Sequence, residues 1–394
     1  MNLGRRGQGA RGLLCALIVL AAAGPASAAD WSIKGSVSQR VSGDDNPNLD
    51  LHSPGFVFGS LTDVSVDIQA LTRTSRLNLT GDLGYRYYTG SGSDGLTNRF
   101  VPNAGISFEK DWKRDVLTAS VNYALEDASD LSFTEIGPTL QKGDRQTISA
   151  NVTVLHKLNA RNDFTASVGA SDVTYSDVDN VDPYRVYTPS ISWLNRQTRL
   201  TDFRTTLGVD IYDYDDLPNT LNYNYYLRED VNTRLSKRLR VNAGVGVRLL
   251  DAYIDNLLLP GTPRDHTTSI GGLANAGFDY ALKESSFSGS ASYGLNPSTD
   301  GKLVNQLNFS LGFQQRINDY STIGVSAAYT LSGDPNGGGF NERTMSISPT
   351  YSYRFSQYWR MVAGYQFMMQ REDGQTSKRN YGYITIARDF VLLP

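Results

Sequence analysis

The amino-acid sequence predicts an all-β chain: a single antiparallel up-and-down transmembrane β-barrel of about eighteen strands, with sixteen also open. Three observations predict it. Apolar and polar residues alternate with a period of two, the mark of strands with two unlike faces. The alternating stretches run to about a dozen residues, longer than the globular norm of ~5–6 and enough for the ~9–11 that cross a bilayer. The connections between them are long and short in turn, as in bacterial outer-membrane barrels.

The clearest stretch is 341–371. Met345, Ile347, Pro349, Tyr351 and Tyr353 alternate with Thr344, Ser346, Ser348, Thr350, Ser352 and Arg354. After a break at 356–358, Trp359, Met361, Ala363, Tyr365, Phe367 and Met369 alternate with Arg360, Val362, Gly364, Gln366, Met368 and Gln370. That is one hairpin, and the rest of the chain after the leader repeats it.

Residues 1–28 read as a removable secretory signal. Arg5, Arg6 and Arg11 precede the apolar run Leu13–Ala23, and Ala26-Ser27-Ala28 offers small residues for cleavage, with the barrel then covering 29–394. The single cysteine, Cys15, falls within that leader, so the exported part has no disulfide and no thiolate metal site.

The first strand starts at Trp31, with Ile33, Val37 and Val41 on one face and Lys34, Ser36, Ser38 and Arg40 on the other. A long polar connection, 43–60, precedes Val64, Val66 and Ile68, which alternate with Asp63, Ser65 and Asp67. Leu77, Leu79, Leu83, Tyr85 and Tyr87 follow after a short break. Further long connections fall at 88–98, 127–144, 176–185, 213–221, 252–265, 297–301, 332–341 and 372–378, rich in Gly, Pro, Asn and Asp. Short ones fall near 110–114, 156–162, 195–202, 236–238, 282–285, 316–320 and 355–358. Between them lie apolar faces such as Ile148/Ala150/Val152/Val154, Val241/Ala243/Val245/Val247/Leu249 and Leu307/Phe309/Leu311/Phe313. The closing strand, Tyr381–Phe390, has no cleanly apolar face, so its lipid-facing register stays open.

A net charge of −3 gives no reason to expect nucleic acid, and no run after residue 30 is apolar enough for a membrane helix. Trp31, Trp193, Phe203, Tyr225, Phe355 and Trp359 sit near strand ends, where aromatic side chains meet a membrane interface. Outer-membrane lipid is therefore the first expected partner.

No enzyme, cofactor or metal is expected. The three histidines, His52, His156 and His266, have no ligand spacing, and no outward His has a Ser two residues away. Asp177, Asp179 and Asp182 in one loop, with Asp213, Asp215 and Asp216 in the next long one, are read as solvated charge; calcium is the alternative. The polar faces carry more information. Arg86, Arg204, Arg228, Arg234, Arg248, Arg354 and Arg360 stand with Asp82, Asp210, Asp230 and Asp279 as candidate pore-lining residues. In a barrel of this size they line an aqueous lumen. Guanidinium groups there suit anionic solutes; alternatively the two signs neutralise each other and stiffen the wall. Arg354 and Arg360 flank a short turn and are expected at the periplasmic mouth.

Trp31 near the start of the exported chain, the run Gly43-Asp44-Asp45-Asn46-Pro47-Asn48-Leu49 and the Tyr/Asn/Gly-rich hairpins resemble outer-membrane barrels of the β-barrel porin 2 type, some linked to PEP-CTERM and exopolysaccharide systems. The Val391–Pro394 tail departs from that pattern. The resemblance implies export of exopolysaccharide; an anionic polysaccharide, which the lumenal arginines would suit, and periplasmic export machinery are the expected partners. The alternatives are a solute-diffusion porin, with 127–144 as the loop folded into the lumen, and a non-conducting surface-anchoring barrel.

Overall fold

A computed structural model of the chain describes residues 29–93, 96–127, 143–176, 182–214, 220–254, 265–297, 303–334, 339–372 and 374–393. The expected leader, 1–28, and most of the expected constriction loop, 128–142, lie outside them. The described elements are eighteen strands: β1 (Asp30–Asp44), β2 (Val57–Leu71), β3 (Ser75–Thr89), β4 (Arg99–Asp111), β5 (Asp115–Asp127) and β6 (Asp144–Lys157). Next come β7 (Asn162–Ser176), β8 (Tyr184–Arg196), β9 (Thr201–Tyr214), β10 (Thr220–Arg234), β11 (Leu239–Ile254) and β12 (Asp265–Ala281). The last six are β13 (Ser285–Pro297), β14 (Leu303–Arg316), β15 (Ser321–Gly333), β16 (Glu342–Arg354), β17 (Trp359–Glu372) and β18 (Gln375–Leu393). Each pairs antiparallel with its sequence neighbours, and β1 pairs with β18, so one sheet closes on itself. Closure pairs the first strand with the last, so neither is left as a free edge, which is how such a sheet can cross lipid.

The two faces separate as the alternation requires. Val37, Val64, Leu83, Val152, Val168, Ile191, Leu207, Leu227, Val247, Leu311 and Ile384 are all exposed on the outside. Several pair with one another across the strands, as in Ile191↔Leu207 and Leu207↔Leu227. A water-soluble barrel would bury this set; here it forms the lipid contact, and the chain is an outer-membrane barrel. Leu207→Arg, placed in that belt, is expected to cost about 2–4 kcal/mol. A lowered urea midpoint in lipid vesicles checks it, and an unchanged midpoint would place Leu207 outside the belt.

Two connections differ from the reading above. The first ends at Val57, not near Ser60, because β2 continues above the membrane, where alternation no longer needs apolar residues. The last is not long: β17 reaches Glu372, β18 begins at Gln375, and Gly374 takes a φ of 81° that suits glycine in a tight hairpin turn. The register of β18 is also settled. Ile384, Ile386, Arg388 and Phe390 pair with the outward residues Val41, Gln39, Val37 and Gly35, while Tyr381, Tyr383, Thr385, Ala387 and Asp389 face inward. Its outer face was hard to read because Arg388 lies on it, with the guanidinium carbon 5.4 Å from the Trp359 ring centre and 4.9 Å from that of Phe390.

Prolines mark interruptions in the wall. Pairing between β8 and β9 skips Thr188 and Pro189, and pairing between β16 and β17 skips Ser348 and Pro349, without a change of register. Proline has no N–H to give the ladder. A larger break lies between β12 and β13. Their ladder runs only from Ala281↔Ser286 to Ala274↔Tyr293, so Asp265–Leu273 have no β13 partner among the described residues.

Candidate functional site

The lumen is the site, and alternation places its side chains. All eleven charged candidates occupy inward positions: Asp82 and Arg86 on β3, Arg204 and Asp210 on β9, Arg228, Asp230 and Arg234 on β10, Arg248 on β11, Asp279 on β12, Arg354 on β16 and Arg360 on β17. They fall into separate groups. On β9–β10, Arg228 Nε donates to Asp230 Oδ2 at 2.8 Å, Arg204 lies opposite Asp230 in register, and Asn224 Nδ2 donates to Asp210 at 3.1 Å. At the short-turn mouth two like-charged register pairs stand, Arg234↔Arg240 and Arg354↔Arg360, with Asp389 3.5 Å from Arg360. Arg86 joins Arg40, Arg379 and Asp44 around a small cavity at the long-loop end. Arg248 stands apart from the rest.

Among the described residues two segments at the long-loop end turn inward; residues 128–142 of the expected 127–144 loop lie outside them. The first is the connection between β1 and β2. Asn46 organises it: its Nδ2 donates to the Asp50 carbonyl at 2.8 Å and to the Lys378 carbonyl at 2.9 Å, while its Oδ1 accepts from the Asp50 N–H at 2.9 Å. This seats Leu49 against the inward Met368, and both are buried. Leu49 pays a conformational cost for that contact, with a φ of 55° in the left-handed region.

The second segment is the end of the β13–β14 hairpin. Beyond Tyr293 it leaves the wall and crosses the lumen. Leu295 and Leu303 pack with Val173, Tyr184, Tyr212 and Tyr214 of β7–β9 and with Leu250 of β11, all buried. These apolar contacts hold the hairpin inside the barrel as a partial plug. Beneath the tip lies a cavity of about 570 Å³, bounded by Asn296 and Pro297 on one side and the β5–β9 wall on the other.

Among the described residues one charged side chain lines that cavity: Arg145 of β6. It is buried, its Nη2 is 3.4 Å from the Tyr184 hydroxyl, and its Nε makes no hydrogen bond among the described residues. Asn122, Asn151, Asn296 and the hydroxyls of Ser149 and Thr188 complete a polar lining. Sequence reading missed Arg145 because the long connection was carried to Asp144 and the apolar face of the next strand was read only from Ile148. Extending the alternation of Thr147, Ser149 and Asn151 back by one step would have found it on the inner face.

No relay for catalysis is assembled among the described residues. His156 Nδ1 lies 2.6 Å from Asp115 Oδ1 on the outer face near a short turn, with no hydroxyl recorded against the ring. His266, Thr268 and Asp251 meet on the outer face at the long-loop rim. Thr268 donates directly to Asp251 at 2.9 Å, and both approach the same imidazole nitrogen, Nε2, at 3.3 and 3.5 Å. A nucleophile–base–acid chain needs the acid on the other ring nitrogen. Of the acidic loop residues, Asp177, Asp179, Asp215 and Asp216 lie outside the described residues, and Asp213 faces Arg185 at 3.8 Å. Among the described residues no three His, Cys, Asp or Glu side chains converge.

No protein-family model matches the chain and no curated protein is similar to it, so the likeness to the porin 2 type is one of residues alone. Solved structures are similar in fold. They include Acinetobacter baumannii OccAB3, with a TM-score of 0.51 and 11% identity over 92% of this chain and 100% of that one. Pseudomonas aeruginosa OpdK, solved with vanillate, has a TM-score of 0.51 and 9% identity over 92% of this chain and 99% of that one. Pseudomonas aeruginosa OccK9 (OpdG) has a TM-score of 0.51 and 10% identity over 92% of this chain and 98% of that one. What these likenesses establish is the architecture, a closed eighteen-stranded antiparallel β-barrel.

Proposed function

We propose that the chain is an outer-membrane diffusion channel for small anionic solutes, and not a conduit for exopolysaccharide. The observation that carries this reading is the cavity under the folded hairpin. Its volume, about 570 Å³, lies within the ~300–1,000 Å³ of small-molecule sites, and Arg145 is its one charged lining residue among those described. A guanidinium with a free Nε beside amide and hydroxyl groups suits a compact carboxylate that also offers polar atoms. A polymer chain would need a clear bore past the hairpin and the first connection, and both narrow the lumen.

Elsewhere Arg228 is paired with Asp230, and the like-charged pairs Arg234↔Arg240 and Arg354↔Arg360 stand at the short-turn mouth, away from the folded hairpin. Selection rests on the narrow region. In planar bilayers the channel is expected to prefer anions, and Arg145→Gln to abolish that preference, moving the reversal potential in a salt gradient to zero or past it. Vanillate is a suitable blocking probe. An unchanged reversal potential, or no current from the wild type, overturns the reading. Deletion of the gene is expected to leave secreted polysaccharide at its normal level; its loss would restore the export role.

A further inference from the structure

The barrel wall is incomplete where β13 leaves it. Asp265–Leu273 of β12 keep their β11 partners but have none from β13 among the described residues. Part of this edge lies within the lipid belt. Ile270 is level with Leu249 and, through it, with Tyr225, all three outward and exposed. Ile270 is 82% exposed, above every other exposed apolar side chain described, because no neighbour covers its open flank. Peptide groups facing hydrocarbon without partners cost several kcal/mol each, so such an edge persists only where something polar reaches it.

A cation stands just behind the opening. Arg248 points inward from β11 opposite Gly271 of the open edge, and its guanidinium lies over that glycine. A Cβ at position 271 would come within 2.7 Å of the guanidinium carbon, so only glycine leaves room for the group there. Arg248 is 3% exposed; Nη2 donates to Asn305 of the folded hairpin at 2.7 Å, while Nε and Nη1 make no hydrogen bond among the described residues. A buried guanidinium with two unused donors is costly unless an anion completes it. On the lumenal side, Leu250 and Leu295 continue an apolar surface away from it.

We propose that the gap between β12 and the inward-folded β13–β14 hairpin is a lateral portal between the outer leaflet and the lumen. Its ligand is a single-chain anionic amphiphile, a long-chain carboxylate, whose headgroup is received by Arg248 and whose chain lies along Ile270. The headgroup reaches water and the unpaired edge, while the chain stays in lipid. One opening thus satisfies both ends of the molecule.

The test uses the barrel in phospholipid nanodiscs, with no ion gradient, so a lumen that fails to conduct does not silence it. Stearate carrying a nitroxide at its chain end is expected to show a protein-immobilised component, stronger than that of a trimethylammonium amphiphile of equal chain length. Arg248→Gln is expected to weaken capture by about tenfold or more, with Arg248→Lys restoring part of it. Independently, Gly272→Cys is expected to react with a charged thiol reagent, while Leu207→Cys, in the same belt behind intact ladders, does not. Equal immobilisation of the two amphiphiles, capture unchanged in Arg248→Gln, or an inert Gly272→Cys each overturns the portal.

Discussion

Excision of 294–304, the inward end of the β13–β14 hairpin, is expected to raise single-channel conductance severalfold. An eighteen-stranded wall by itself encloses an aqueous channel, so what limits current is whatever crosses the bore. The hairpin crosses it: Leu295 and Leu303 reach Val173, Tyr184, Tyr212 and Tyr214 on the far strands. Excision removes those contacts and the roof of the Arg145 cavity together, so selectivity is expected to fall as conductance rises. A milder version is Leu303→Asp. It places a charge in a buried apolar cluster, which loosens the tip without shortening the chain, and is expected to give a noisy channel with larger openings. Unchanged conductance in both variants would show that the current is limited elsewhere. The loop between β1 and β2, with Leu49 on Met368, would then be the next segment to remove.

The second large effect is on stability, at the seam between the first and last strands. Asp44 and Arg379 form a nearly dry ion pair there: their side chains are 8% and 5% exposed, and Nε and Nη2 of Arg379 lie 2.8 and 2.6 Å from the same carboxylate oxygen. The other oxygen of Asp44 accepts from the Asn46 N–H at 3.0 Å, tying the pair to the inward first connection. Nearby, Asn380 donates to Asp45 through both its backbone N–H and its side-chain amide, at 2.7 and 2.6 Å. Removing one partner of a buried pair leaves the other charged and poorly solvated, at a cost of about 3–5 kcal/mol. Asp44→Asn is expected to lower the urea midpoint by that amount and to let the barrel unfold at a lower temperature on a gel. The double variant Asp44→Asn/Arg379→Gln is expected to recover part of the loss, because it removes the stranded charge. Single variants as stable as wild type would mean that the ladder alone closes the barrel.

Much of the fold was legible because the lipid imposes a rule on each residue separately. Every second side chain in the belt must be apolar, and Val241–Leu249 or Met345–Tyr353 obey it whatever their neighbours do. Where the rule lapses, reading faltered. Above the belt, Asp144 and Arg145 begin β6 but look like loop, and Val57 begins β2 inside what reads as a connection. Outward Arg388 obscured β18 because its partner rings, Trp359 and Phe390, lie on two different strands.

Local sequence specifies a barrel of about eighteen strands and the face of most residues in it, though not the exact count or the register of β18. These follow from period-two geometry and from the membrane's demand for apolar surface, both local. Only the tertiary structure decided which segments fill the bore, that β13 leaves β12 at Tyr293, and that Arg145 and Arg248 lie beside the cavity and the gap so made. Those outcomes depend on contacts across the lumen between residues far apart in the chain, Leu295 with Val173 or Arg379 with Asp44. Nothing in the local alternation distinguishes such a partner from any other inward residue. The three-dimensional closure of the sheet selects it.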